Sequence, residues 1–187
     1  MVENQEPEYN STFSIINRLL RFLWLFFWFI LCRWTPNNFH GWRVFVLKIF
    51  GAKIGKNNFV YPNCKIWAPW LLTTGDYATI GPNVEVYNPG GIILMSHSII
   101  SQSAYLCGAT HDYNTIDFTY IKKQIIIEPF AWICSRSIVL PGVTCKEGSV
   151  LGAGSVTSKD LEPWSVYTGS PAIKVKDRVD FLNNSNE

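Results

Sequence analysis

Between residues 54 and 157 an aliphatic or small side chain returns every six positions, and few folds can use that spacing. Ile54, Val60 and Ile66 are six apart; so are Thr74, Ile80 and Val86, then Leu94, Ile100 and Leu106, then Ile127, Ile133, Val139, Cys145, Leu151 and Thr157. Neither an amphipathic helix nor an alternating strand repeats at this period. A short strand followed by a turn does. Each step then forms one side of a three-sided coil with one residue pointing inward, and stacked coils build a continuous internal ladder. The fifteen positions predict five coils, with Thr74 and Thr157 as the polar rungs. Turn-forming residues follow many of them, as at Gly55, Gly75-Asp76, Gly81-Pro82-Asn83, Gly148 and Gly152.

The repeat is interrupted three times. Two extra residues fall between Ile66 and Thr74 and two between Val86 and Leu94, and residues 107–126 form a longer excursion that leaves the coil. Insertions in repeat folds become loops on one face, often the binding face.

The segment before the repeat is different in kind. Residues 1–12 are polar and expected to fray. Residues 13–34 predict a helix on which Asn17, Arg21, Trp24, Trp28 and Cys32 form a polar or interfacial stripe, with the remaining circumference apolar. Thr35-Pro36-Asn37 breaks it. A second helix is expected over 39–50, capped by Asn38, with Trp42, Phe45, Val46, Ile49 and Phe50 on one face and Gly51 at its end. The expected organisation is a helical segment at 1–50, a coil domain at 51–173 and a tail or short helix at 174–187.

Charge separates these regions too. No acidic residue lies between Glu8 and Asp76, yet half of the 16 Lys and Arg do. Phe22 to Cys32 is an unbroken apolar run of eleven, short of the roughly 20 that a spanning helix needs. It lacks the small-residue cleavage site of a signal peptide, so the expected compartment is the cytoplasm and the five cysteines are expected to be reduced core thiols. A net charge of +2 speaks against a nucleic-acid binder, and 48% hydrophobic residues against disorder.

The segments Ile80-Gly81-Pro82-Asn83-Val84, Ser101-Gln102-Ser103-Ala104-Tyr105-Leu106-Cys107, Val139-Leu140-Pro141-Gly142-Val143-Thr144, Leu151-Gly152-Ala153-Gly154-Ser155-Val156 and the closing Gly169-Ser170-Pro171-Ala172 resemble the hexapeptide-repeat acyltransferases. The resemblance implies an all-β core, a left-handed parallel β-helix with an N-terminal helical extension and a protruding loop. Phe39-His40-Gly41-Trp42-Arg43, Lys65-Ile66-Trp67-Ala68-Pro69-Trp70 and Thr110-His111-Asp112-Tyr113-Asn114 bring it closest to the acetyltransferases of colanic-acid and other exopolysaccharide pathways. That implies acetyl transfer from acetyl-CoA to a hydroxyl of a sugar or lipid-linked glycan, by a homotrimer with sites between neighbouring coils. Glu128, Lys146 and Met95 stand where the pattern usually has glycine after the inward residue, which alters turns only.

Such a transfer needs a base for the acceptor hydroxyl and a donor near the oxyanion, but no metal. Imidazole suits the base at neutral pH. His111 lies in the long excursion, and the resemblance places the catalytic histidine there. His40, in the second helix, reads as a packing residue, and His97, in a turn, as solvent-facing. Asp112, Glu85 and Asp117 are candidates for orienting His111. By the same resemblance, Asn83, Glu85, Asn88 and Asp112 are nominated for the acceptor. Trp132, Ser137, Gly152, Ala153, Gly154 and Ser155 are nominated for the pantetheine slot, and Pro171 borders the nucleotide end. Lys159, Lys174 and Arg178 lie where they could meet phosphates.

An N-acyltransferase acting on an amino sugar is the alternative within the class, and a non-catalytic scaffold the alternative outside it. A zinc-dependent hexapeptide protein would need several histidines on the coil, and only His97 lies in the repeat proper. The aromatic, basic and acid-free stretch from 13 to 50 is the composition of a segment lying in a bilayer interface, and predicts peripheral contact with the inner face of the cytoplasmic membrane.

Overall fold

The structure is a computed structural model that describes residues 13–183. The expectation of fraying at 1–12 lies outside the described residues. From Lys53 the chain winds as a three-sided parallel coil. Face I stacks Lys53–Ile54, Leu72–Thr74, Ile92–Leu94, Ile125–Ile127 and Thr144–Cys145. Face II stacks Phe59–Val60, Thr79–Ile80, Ile99–Ile100, Trp132–Ile133, Val150–Leu151 and Ser165–Thr168. Face III stacks Lys65–Ile66, Glu85–Tyr87, Tyr105–Cys107, Ile138–Val139 and Val156–Thr157.

The pairing register is the six-residue one. Ile54, Thr74, Leu94, Ile127 and Cys145 align on face I. Val60, Ile80, Ile100, Ile133 and Leu151 align on face II. Ile66, Val86, Leu106, Val139 and Thr157 align on face III. All fifteen are buried, none more than 8% exposed. Fully burying one such aliphatic side chain contributes about 1.5–3 kcal/mol, so the ladder is the main source of stability. Five coils are complete, and a partial sixth follows through Leu161, bridged to Cys145, and Ser165–Thr168.

The turns repeat as well. One residue in most of them is left-handed: Asn57, Tyr77, His97 and Phe130 where face I meets face II, and Asn83, Ser103, Arg136 and Gly154 where face II meets face III, with φ between 53° and 68°. The turn between faces III and I is where the chain varies. It holds the 3-10 turn Pro69–Leu71 and the Asn88–Gly91 turn, and it releases the excursion, an antiparallel hairpin of Ala109–His111 with Tyr120–Lys122.

Two helices close the lower end of the coil, where Ile54, Val60 and Ile66 would otherwise face water. Helix α1 is Ile15–Leu31, started by Ser14, whose Oγ accepts from the Asn17 amide at 3.2 Å. Its stripe of Trp24, Trp28 and Cys32 is not interfacial but buried. Trp24 is the rivet: its Nε1 donates to the Ile66 carbonyl at 2.6 Å, and its ring lies 5.0 Å from Trp28 and 5.2 Å from Phe50. The broad indoles cover the coil end, and the smooth Phe and Leu sides are left outside.

Helix α2 is His40–Ile49. Phe39, not Asn38, holds the cap position and makes no side-chain cap bond; Gly51 follows at φ +87°. Its buried face is Arg43, Val46 and Leu47, whereas Trp42, Phe45 and Ile49 are exposed. Arg43 turns the helix this way. Fully buried, it donates to Val60 O at 2.6 Å, Pro36 O at 2.8 Å, Thr35 Oγ1 at 2.7 Å and Asn37 O, tying loop, helix and coil together. Burial pushes the neighbouring thiols of Cys32 and Cys64 up to about 11 and about 12. All five cysteines are free, and Cys107 and Cys134 are only half-buried. At the upper end Ile173–Asp177 is a strand, not a tail or short helix, folded back antiparallel on Ser165–Thr168.

Candidate active site

His111 sits at the end of the first hairpin strand, opposite Tyr120. Its Nδ1 lies 2.6 Å from the Phe118 carbonyl oxygen. A carbonyl can only accept, so Nδ1 carries the proton and Nε2 keeps its lone pair. The ring is exposed, with the Tyr120 ring 5.4 Å away. An imidazole with a protonated, anchored Nδ1 and an open Nε2 is arranged to take a proton from a substrate hydroxyl.

The orienting group is a main-chain oxygen, aimed by Phe118 at φ 47°, and none of the three carboxylates proposed for it. Asp112 accepts from the Asn114 amide at 2.9 Å through its side chain. Asp117 accepts from Thr119 Oγ1 at 2.9 and 3.0 Å, and hydrogen bonds from Thr119 and Thr115 hold its carboxyl below the usual range. Both serve the hairpin tip. Glu85 stands on face III, paired with Lys65 at 3.5 Å.

The other histidines do not join His111. His40 Nδ1 bonds the Val60 carbonyl at 2.9 Å and its ring packs on Phe59 and Tyr61. His97 is exposed but not simply solvent-facing: it stacks between Tyr77 at 5.0 Å and Phe130 at 4.9 Å, in the column of left-handed turn residues. Among the described residues no cluster of His, Cys, Asp or Glu could hold a metal ion.

Of the acceptor candidates, Asn83 is exposed in its left-handed turn and Glu85 is half-open on face III. Asn88 is not available. It is fully buried, accepting from Ala68 N at 3.0 Å and donating to Ala68 O at 2.8 Å, and so replaces the ladder bonds that the inserted residues disrupt.

The coenzyme candidates divide in the same way. Ala153 and Gly154 line a groove of about 430 Å³ along the edge between faces II and III, with Gln102, Ser103, Ser135 and Arg136 from the two coils before. A Cβ on Gly154 would meet nothing within 4 Å, so its backbone is open to a ligand. Gly152 belongs to packing, since a Cβ there would sit 2.8 Å from Thr168 Cγ2. Ser155 and Ser137 are buried; the first accepts from Gly169 N at 2.9 Å and the second donates to Cys134 O at 2.6 Å. Pro171 continues the same edge and is exposed. Trp132 lies beside it on face II, its Nε1 donating to Ser101 Oγ at 2.9 Å.

Lys159 is on the opposite edge of face III, the one that releases the His111 hairpin. Lys174 is taken by Glu162 at 3.0 Å and Asp177 at 2.9 Å, which raise its pKa. Arg178 donates to Phe130 O at 3.0 Å and Gly148 O at 2.9 Å. The cation that does line the groove is Arg136, which the sequence reading passed over; its left-handed turn position in the hexapeptide was the available signal.

A stacked three-sided parallel coil of this kind is the fold of solved hexapeptide-repeat acetyltransferases. A hexapeptide-repeat acetyltransferase from Vibrio cholerae, solved with acetyl coenzyme A, superposes with a TM-score of 0.80 over 92% of this chain and 94% of its own, at 22% identity. A galactoside acetyltransferase solved with coenzyme A gives 0.80 over 91% and 86%, also at 22% identity. In sequence, the chain is 43% identical over 147 residues to the colanic acid biosynthesis acetyltransferase WcaF of Escherichia coli, covering 79% of this chain and 81% of that one. No family model matches. The chain belongs to the hexapeptide-repeat acetyltransferases, in the branch of the colanic acid biosynthesis enzymes.

Proposed function

We propose that the protein transfers an acetyl group from acetyl coenzyme A to a hydroxyl of a sugar or lipid-linked glycan in surface polysaccharide assembly. The observation that carries this reading is the fixed tautomer of His111, with Nδ1 bound to the Phe118 carbonyl and Nε2 open. Nε2 takes the hydroxyl proton as the acceptor oxygen bonds to the acetyl carbon. The carbon–sulfur bond then breaks, and the proton passes to the leaving thiolate. The coenzyme lies along the groove of Gln102, Ser103, Ser135, Arg136, Ala153 and Gly154, with Arg136 toward phosphate.

The active form in this reading is a homotrimer. Support comes from geometry: His111 and the groove border opposite edges of face III in one chain, so the hairpin of one subunit would serve the groove of the next. The segment from 13 to 50 contacts the membrane peripherally, at its cytoplasmic face. Twelve of the 17 residues of α1 are exposed large apolar side chains, flanked by Arg18 and Arg33. No helix among the described residues is long and apolar enough to cross a membrane.

The test is incubation with acetyl-CoA and a panel of hydroxyl and amino sugars, free and lipid-linked, read by mass spectrometry. His111→Ala should lower turnover by roughly 10²-fold or more with the assembly intact. Mixing His111→Ala with Ala153→Trp chains should recover part of the activity. Near-normal turnover of a folded His111→Ala chain removes the proposed base, and a product acetylated only on nitrogen moves the reading to an amino sugar.

A further inference from the structure

A second concave site, apart from the coenzyme groove, lies between α1 and face III. The cleft measures about 190 Å³ and is bordered by Arg21 and Leu25 of α1 and by Lys65, Trp67, Glu85 and Tyr87 of the coil. Arg21 is held for display. Its Nε donates to Asn17 Oδ1 at 3.0 Å and its guanidinium lies 4.5 Å over the Trp67 ring, while its terminal nitrogens have no acceptor among the described residues. The guanidinium is therefore packed against aromatic rings of Trp67 and Phe13 while its terminal nitrogens stay unbonded, the arrangement that binds phosphate oxygens bidentately. Lys65, paired with Glu85 at 3.5 Å, adds a second cation that a phosphate could draw away from that carboxylate.

The cleft is connected to His111. Trp67 meets the Tyr87 ring edge-on at 5.7 Å, Tyr87 Oη is 3.0 Å from Tyr120 Oη, and Tyr120 touches the His111 ring at 5.4 Å. Phe13 joins the same cluster, 5.0 Å from Trp67 and 5.4 Å from Tyr120. Burial and the Tyr87 hydrogen bond raise the Tyr120 pKa, so the phenol stays protonated. On its other side the cleft opens past Leu25 onto the exposed apolar surface of α1.

We infer that this cleft is the acceptor subsite, built for a sugar phosphate carried on a prenyl chain. Each part of that ligand meets a matching part of the protein. The phosphate meets Arg21 and Lys65. The flat aromatic walls of Trp67 and Tyr87 suit the apolar face of a pyranose, and Glu85 accepts from its hydroxyls. The hydrocarbon follows Leu25 to α1. A free sugar would have no use for Arg21, and coenzyme A has its own groove on another edge of the coil. The inference rests on the acetyl-transfer reading for what happens next, but the binding step stands apart from it.

The test measures binding of farnesyl diphosphate, inorganic diphosphate and farnesol to the full chain, and to Arg21→Ala, Arg21→Lys and Trp67→Ala chains of unchanged melting. Farnesyl diphosphate should bind at least roughly tenfold more tightly than either half alone. Arg21→Ala should weaken it by roughly tenfold or more and Arg21→Lys by less, with coenzyme A affinity unchanged. Farnesyl diphosphate should also compete with the acceptor and not with acetyl-CoA. Equal affinity in the Arg21→Ala chain, or inorganic diphosphate binding as tightly, overturns the inference. So does an equal loss of flotation on phosphatidylglycerol vesicles, which would make Arg21 a general lipid contact. If binding follows Arg21 while no acceptor is acetylated, the proposed function fails and the subsite stands. If acetylation proceeds and binding ignores Arg21, the reverse holds.

Discussion

The coil and helix α1 both depend on apolar residues but use them in opposite ways. Along the coil, every residue of the six-step ladder is inside. Along α1, only Trp24 and Trp28 of the 17 residues are buried, and the Ile, Leu and Phe side chains around them face out. The coil is closed on itself, so one inward residue per side exhausts its need for apolar surface. A helix laid on the end of that coil needs one stripe, and among the described residues most of the rest of its apolar surface stays exposed. Excess of this size marks an interaction surface more than a folding requirement.

The largest effect that can break this comparison is a charge placed in each region. Ile133→Asp puts an unpaired carboxylate in the middle of the ladder and should prevent folding, seen as loss of soluble protein. Phe22→Asp, on the exposed side of α1, should leave the melting temperature within a degree or two and abolish flotation with anionic vesicles. If both chains fold equally well, the register of the coil is wrong. If Phe22→Asp also fails to fold, that side of α1 is covered within the assembly.

The stripe comes next. Trp24→Ala should cost about 3–5 kcal/mol, because it empties the contact between α1 and the coil end and strands the Ile66 carbonyl. Trp24→Phe keeps most of the packing and loses the hydrogen bond, for about 1–2 kcal/mol. Denaturant midpoints of the two variants separate burial from hydrogen bonding. A small loss in both would mean that α1 is held by its surroundings rather than by the coil.

Smaller still is Asn88→Ala. Its side chain replaces a backbone pairing with Ala68, so the change should cost about 1–3 kcal/mol and leave the KM for the acceptor unaltered. A raised KM at unchanged stability would return Asn88 to the acceptor site.

These variants also show what could be read from the residues. The fold was legible because each hexapeptide repeats the same burial decision, and fifteen agreeing decisions leave little freedom in register. The place of His111 on the excursion was legible because a lone histidine in the one long insertion is conspicuous, and its role as base is the proposal made for it. Its orienting partner was not: a main-chain carbonyl has no residue identity, and Asp112 and Asp117 were nearer in type though spent on the hairpin tip. The stripe on α1 was seen but turned the wrong way, because Trp beside Asn and Arg looks interfacial until a carbonyl on the coil claims the indole N–H. Arg43 and Arg21 were missed for a related reason. What each arginine meets comes from elsewhere in the chain, at carbonyls for the first and at Trp67 for the second, and a local pattern carries no sign of it.

The smallest effect concerns the two polar rungs, and it separates a threonine required by its neighbour from one that is not. Thr74 and Thr157 both sit on the ladder and both are buried. Thr74 Oγ1 donates to Asn58 Oδ1 at 2.8 Å, and Asn58 is itself buried, with its amide nitrogen committed to Lys56 O and Gly75 O. In Thr74→Val the added methyl suits the ladder, but Asn58 Oδ1 loses its donor where water has poor access. The expected loss is about 1–2 kcal/mol. Thr157 Oγ1 donates to Lys159 O at 2.7 Å, in a turn exposed at the edge of the last complete coil. Water can replace that bond, and the gain in apolar packing offsets it, so Thr157→Val should change stability by no more than about 0.5 kcal/mol. Paired thermal melts decide the matter. If Thr74→Val is as harmless as Thr157→Val, the hydroxyl is not what keeps a polar residue on face I, and the ladder would accept an aliphatic side chain at every rung.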